Sequence, residues 1–199
     1  PFAGIFDTFL LPNNHEDQRV RYKQLSDAIR LVYASIYSDE SRSYFEAINY
    51  KFEEEKMAVV IQEVVGRTYD GYHYPHISGT AQSHNYYPVA HMEPEDGFAI
   101  AALGLGHYVV NGEKSYRFSP SYPELEVNSP KNLFNDSQVE FYALEMSRND
   151  TDLLQEGSEA GLKRLSIGEA EKHNTLVHLA SVYNPDNDSI SPGLSTYGP

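Results

Sequence analysis

The chain has no cysteine. That removes disulfide frameworks, thiolate zinc sites and cysteine nucleophiles together, and it fits a cytoplasmic setting. Basic residues are scarce: 15 Lys and Arg face 29 Asp and Glu, for a net charge of −14. A general nucleic-acid binder needs a basic face for phosphates, so that class is excluded, whereas a nucleotide pocket needs only a few local cations. No apolar run approaches the roughly 20 residues of a membrane span, and no basic-then-apolar leader opens the sequence. No nucleic-acid or membrane partner is expected. What is present is a globular composition, 40% hydrophobic and 13% aromatic over 199 residues, enough for one sizeable core or a core with a satellite. The chain starts at Pro1 and ends on STYGP, and it reads as a piece of something longer.

Apolar residues at Tyr22, Leu25, Ile29, Val32, Tyr33 and Ile36 fall on one face of a helix predicted over Glu16 to Tyr37. Ser38 to Ser41 supplies capping residues, and a second helix is expected from Arg42 to Ile48. Lys51 to Lys56 is a charged connector. Met57 to Val65, MAVVIQEVV, is rich in β-branched residues and predicts a mostly buried strand. A Tyr-, His-, Pro- and Gly-dense region to Pro94 has strand-turn character. Further strands are expected at Phe98 to Leu105, Tyr108 to Val110, Gln138 to Met146 (Tyr142, Leu144 and Met146 on one face) and Thr175 to Tyr183. Pro120 to Pro130 reads as a loop, Ser158 to Asn174 as a helix interrupted at Gly168, and NPDND as a turn.

Three phrases carry a resemblance. PFAGIFDTFL, VYASIYSDESRSYF and KMAVVIQEVV, in this order over some sixty residues, resemble the nucleotide-binding domain of phosphoenolpyruvate synthase and pyruvate phosphate dikinase. SGTAQS (Ser78 to Ser83) and LGLGHYVVNG (Leu103 to Gly112) are similar to two later phrases of that family. The likeness runs to about Pro120. It implies an α+β, ATP-grasp-like subdomain with N-terminal helices packed on a mixed, mainly antiparallel sheet. One partial domain is expected over 1–199: a helical lead-in at 1–56, the nucleotide-binding sheet at 57–120, and a less recognisable extension at 121–199.

The resemblance implies that ATP and Mg²⁺ serve the longer parent, with the parent's remaining domains and a small-molecule nucleotide as partners. Nothing is expected to bind tightly to this piece, which should be inactive alone because an opening phosphate-binding segment and a phosphohistidine domain are missing. Gln62 and the backbone of Glu63, Val64 and Val65 match the family's adenine-facing strand. Gly104 and Gly106 match its glycine phrase, where backbone amides could approach a phosphate, though a G-x-G also serves any tight turn. Arg117 matches an Arg suited to phosphate oxygens, and a solvated surface role competes; Lys114 reads as surface. No catalytic residue is assigned.

The metal is the difficulty. No acid lies between Gly97 and Asn111, and Ile100 stands where relatives carry a metal-binding Glu. His107 replaces the acid after the second glycine, and Ile5 replaces a Gln of the first phrase. Isoleucine cannot hold Mg²⁺, which takes carboxylate oxygens. Either Glu93, Glu95 or Asp96 substitutes, or phosphoryl transfer is lost. A non-catalytic nucleotide-sensing or partner-binding module on the same fold is therefore an alternative. A third reading is a metal site built on His73, His76, His84 and His91 with those acids, set against ordinary loop histidines among Tyr72, Tyr74, Tyr86 and Tyr87.

Overall fold

The structure, a computed structural model, describes residues 5–51, 56–123, 125, 128–148, 151–177 and 179–194. Helices and antiparallel strand pairs make an α+β protein. Its contacts divide it into two units, 1–73 with 144–163, and 74–143 with 164–199.

In the first unit α1 (Gln18–Ala34) starts at Asp17, whose carboxylate accepts from the Arg19 amide at 2.8 Å. Ser38 does the same for α2 (Asp39–Ala47), accepting from the Ser41 amide at 3.1 Å. Both caps satisfy amides that have no partner inside the helix. The buried stripe of α1 differs from the expected face. Tyr22 and Tyr33 are 63% and 48% exposed, and Ala28 is the buried residue. Ala28 packs with Leu153 and Ala160, and with Phe9, Leu11 and Leu31 around them. The small Ala28 admits α5 (Leu153–Glu156) closely, whereas the two tyrosines keep their hydroxyl ends wet.

Met57 to Val65 forms no strand, and Val60, Ile61 and Val65 are 74%, 63% and 80% exposed. A β-prone run becomes a strand only beside another strand, and among the described residues none pairs with it. Beyond it the strand-turn reading holds. The strands β1 (Arg67–Tyr69) and β2 (Tyr72–Tyr74) meet at Asp70-Gly71, whose φ values of 46° and 87° suit a two-residue hairpin turn. Tyr72 and His73 of β2 pair with Glu145 and Leu144 of β6 (Glu140–Glu145).

The second unit holds an antiparallel sheet of β3 (Ser78–Gln82), β4 (Phe98–Ala102) and β5 (Tyr116–Phe118). The expected strand at Tyr108 to Val110 is instead a helical turn, α3 (His107–Val110). Its apolar residues are too few to set a strand period, and Tyr108 is buried as a helical residue. Phe141, Tyr142, Ala143 and Leu144 of β6 are all buried, so this strand is covered on both faces rather than alternating. After α4 (Pro130–Asn135), a helix not anticipated in the sequence, the expected helix at Ser158 to Asn174 divides. It becomes β7 (Leu162–Ser166) and α6 (Ile167–Lys172), while the last predicted strand shortens to β8 (Ser181–Asn184), paired with β9 (Ser189–Pro192). The four-stranded sheet runs β1-β2-β6-β7.

Candidate nucleotide site

Of the residues proposed for a nucleotide, Gln62, Glu63 and Val65 are exposed and Val64 is half-buried, in an unpaired stretch of the first unit. The Val64 carbonyl oxygen lies 3.2 Å from the His73 ring Nε2.

Gly104 has a packing duty in the structure. Its φ is +86°, and a Cβ there would fall 2.7 Å from the Tyr142 carbonyl oxygen and 2.8 Å from a Phe141 ring carbon. The glycine exists for close approach to β6. The next amide along, Leu105, donates to that same Tyr142 oxygen at 2.9 Å. Gly106 is a helix-entry residue with ordinary negative φ, preceding a turn of only four residues.

Arg117 sits in β5 directly across from Ile100 in β4, with Thr80 on the other side of Ile100. Its guanidinium carbon lies 3.9 Å from the centre of the Phe98 ring, and its Nη2 donates to Asn85 Oδ1 at 2.8 Å. The stacking and the amide fix the fork's plane. Asn85 is buried and also accepts from the Tyr87 amide at 3.1 Å. Arg117, Asn85 and Phe98 line a groove of about 870 Å³. Neither Asn85 nor Ser119, the other buried polar residue of its wall, stood out in the sequence. A lone amide in HNYY and a serine in a Ser-Pro pair carry no motif.

At the position of the family's metal-binding Glu, Ile100 offers Mg²⁺ no oxygen. Ile100 is half-buried on β4, with Phe98 and Ala102 on its side of the sheet by strand alternation. Asp96 accepts from the Glu93 amide at 2.8 Å, closing a capping box around the short turn Pro94–Asp96. Among the described residues no three His, Asp or Glu side chains gather to hold a metal ion. The histidines have other partners: His73 Nδ1 lies 3.1 Å from Thr68 Oγ1, His84 stands edge-on to Tyr86, and His91 to Tyr122. His107 packs edge-on against Tyr142 at 5.0 Å. Ile5, at the position of the other missing polar residue, offers its carbonyl oxygen within 2.9 Å of the buried Ser41 hydroxyl.

A second charged constellation lies at the other end of this unit. Arg164 donates to both Glu113 oxygens at 2.8 and 2.9 Å and to the Tyr142 hydroxyl at 2.6 Å, and reaches Glu140 at 3.3 Å. The Tyr142 hydrogen bond, and then the charges around it, hold the guanidinium above its ordinary pKa. Burial, with Glu113 adding to it, raises the Tyr108 phenol. The set ties Glu113 to β6 and β7.

Antiparallel sheets with flanking helices and the ordered phrases described above define an α+β, ATP-grasp-like domain. Residues 1–183 match the model of the pyruvate phosphate dikinase AMP/ATP-binding domain, and the chain belongs to that family. No curated protein and no solved structure matches it. Among the described residues no helix is long and apolar enough to cross a membrane.

Proposed function

We propose that this chain is part of the ATP-binding domain of a phosphoenolpyruvate synthase-like phosphotransferase, acting in the cytoplasm with the remaining domains of its parent. The family match over residues 1–183 is the observation that carries this reading. Gln62 to Val65, in the first unit, are the residues that the family resemblance assigns to adenine, and Arg117, in the second unit and oriented by Phe98 and Asn85, is the one it assigns to phosphate. ATP would supply the transferable phosphoryl group. Ile100 offers Mg²⁺ no ligand, so a carboxylate would have to come from elsewhere, with Glu93, Glu95 and Asp96 the nearest in sequence. By itself the chain would be inactive.

A second reading is a nucleotide sensor on the same fold, favoured by one feature: the apolar Ile100 opposite Arg117. A phosphoryl-transfer site without a carboxylate for its metal lacks the main means of neutralising the phosphates. Calorimetry with Mg-ATP separates the possibilities for this chain. Binding no tighter than about 0.1 mM, roughly −5.5 kcal/mol, is expected of a site whose assigned phosphate cation is Arg117 alone. A micromolar constant would mean that the pocket is complete within these residues.

A further inference from the structure

The groove around Arg117 belongs wholly to the second unit, and its described lining carries one charge, that of Arg117. Phe98, Phe118, Met92 and Leu133 give it apolar walls. Its volume of about 870 Å³ is in the range of small-molecule sites. Arg117 is exposed and has no carboxylate within ion-pairing distance among the described residues. Of its five N–H donors, the bond to Asn85 accounts for one. Ser119, two residues along and in the same wall, is only 3% exposed, yet its hydroxyl has no hydrogen-bond partner.

A triphosphate is a poor match for this lining. It brings about four negative charges to one cation, on a chain whose net charge is already −14. A planar carboxylate matches the guanidinium fork, and an apolar body matches the walls. We infer that the groove is a binding site for a small amphipathic monocarboxylate, with its carboxylate on Arg117 and its apolar body along Phe98 and Met92. The inference shares Arg117 with the nucleotide reading but needs none of its phosphate contacts.

The test is an NMR titration of the intact chain with 4-phenylbutyrate, with the neutral 4-phenylbutyramide as control, each repeated with Mg-ATP present. Saturable shifts confined to the groove, with half-saturation on the order of 1 mM, are expected for the acid, and none for the amide. Arg117→Met should weaken the acid at least about fivefold. Equal binding of acid and amide, an unchanged constant in Arg117→Met, or no saturation overturns the inference. The amide comparison on the unaltered chain keeps the test valid if a variant fails to fold. Mg-ATP that displaces the acid leaves both readings standing. Mg-ATP that binds at Arg117 while the acid does not sinks the monocarboxylate and keeps the nucleotide. Acid binding unaffected by Mg-ATP upholds the inference and removes Arg117 from the nucleotide site.

Discussion

Ile100 and Arg117 are direct partners across the β4–β5 ladder, so their side chains share one face of the sheet. A carboxylate introduced at position 100 would therefore meet a guanidinium at once. Ile100→Glu should cost little stability, because a cross-strand ion pair worth roughly 0.2–1 kcal/mol offsets part of the lost apolar contact. It should not create a magnesium site, since one paired carboxylate leaves too few oxygens. Thermal melts of the variant with and without Mg²⁺ should coincide, and a clear magnesium-dependent rise would show that other ligands already converge there.

Gly104→Ala tests a different claim, that this glycine serves packing and backbone conformation. A Cβ would collide with the Tyr142 carbonyl oxygen while φ sits at +86°. The expected loss is on the order of 1–3 kcal/mol for the strained backbone alone, read as a lower midpoint in urea unfolding. An unchanged midpoint would mean that the loop relaxes freely and that the glycine is a ligand-facing residue after all.

Much of the architecture was legible because its signals are local. Ser38 caps through its own hydroxyl as the sequence implies, and the expected strand-turn character appears as the hairpin at Asp70-Gly71. What was illegible depends on partners distant in sequence. Met57 to Val65 has every property of a strand except a neighbour, and α1 buries Ala28 because Leu153 and Ala160 arrive from far along the chain. The candidate site divides the same way. Arg117 could be named from a phrase, but Asn85 and Ser119 became visible only once their burial was known.

Two carboxyl groups should respond oppositely to acid. Hydrogen bonds from Arg148, then from the Asp152 amide, hold Glu156 below the ordinary glutamate range. Its contribution is present above the unfolded-state pKa and disappears as pH falls through the lower folded value. Burial, and next the neighbouring Glu40, raises Asp7, so its protonated form favours the fold and that benefit is lost as pH rises through the folded value. Glu156→Gln should thus lower the melting temperature at pH 7, by an amount that shrinks as the pH falls. Asp7→Asn should raise it at pH 7 and leave it unchanged at pH 3. Parallel shifts at both pH values would contradict these assignments.

The histidines between 73 and 91 are expected to be indifferent to metal. Both ring nitrogens of His73 already lie within hydrogen-bonding distance of protein oxygens. Excess zinc, or a chelator, should leave the melting temperature unchanged, because only a metal that prefers the native state would raise it. Stoichiometric metal surviving dialysis would restore the metal-site reading.

The nucleotide reading places adenine against the exposed, unpaired run from Gln62 to Val65. Photolabelling with 8-azido-ATP at millimolar concentration, followed by peptide mapping, interrogates that contact without requiring turnover. Label concentrated in the peptide containing Met57 to Val65, and suppressed by excess ATP, is the predicted result. Label spread over the chain, or insensitive to competing ATP, would contradict it.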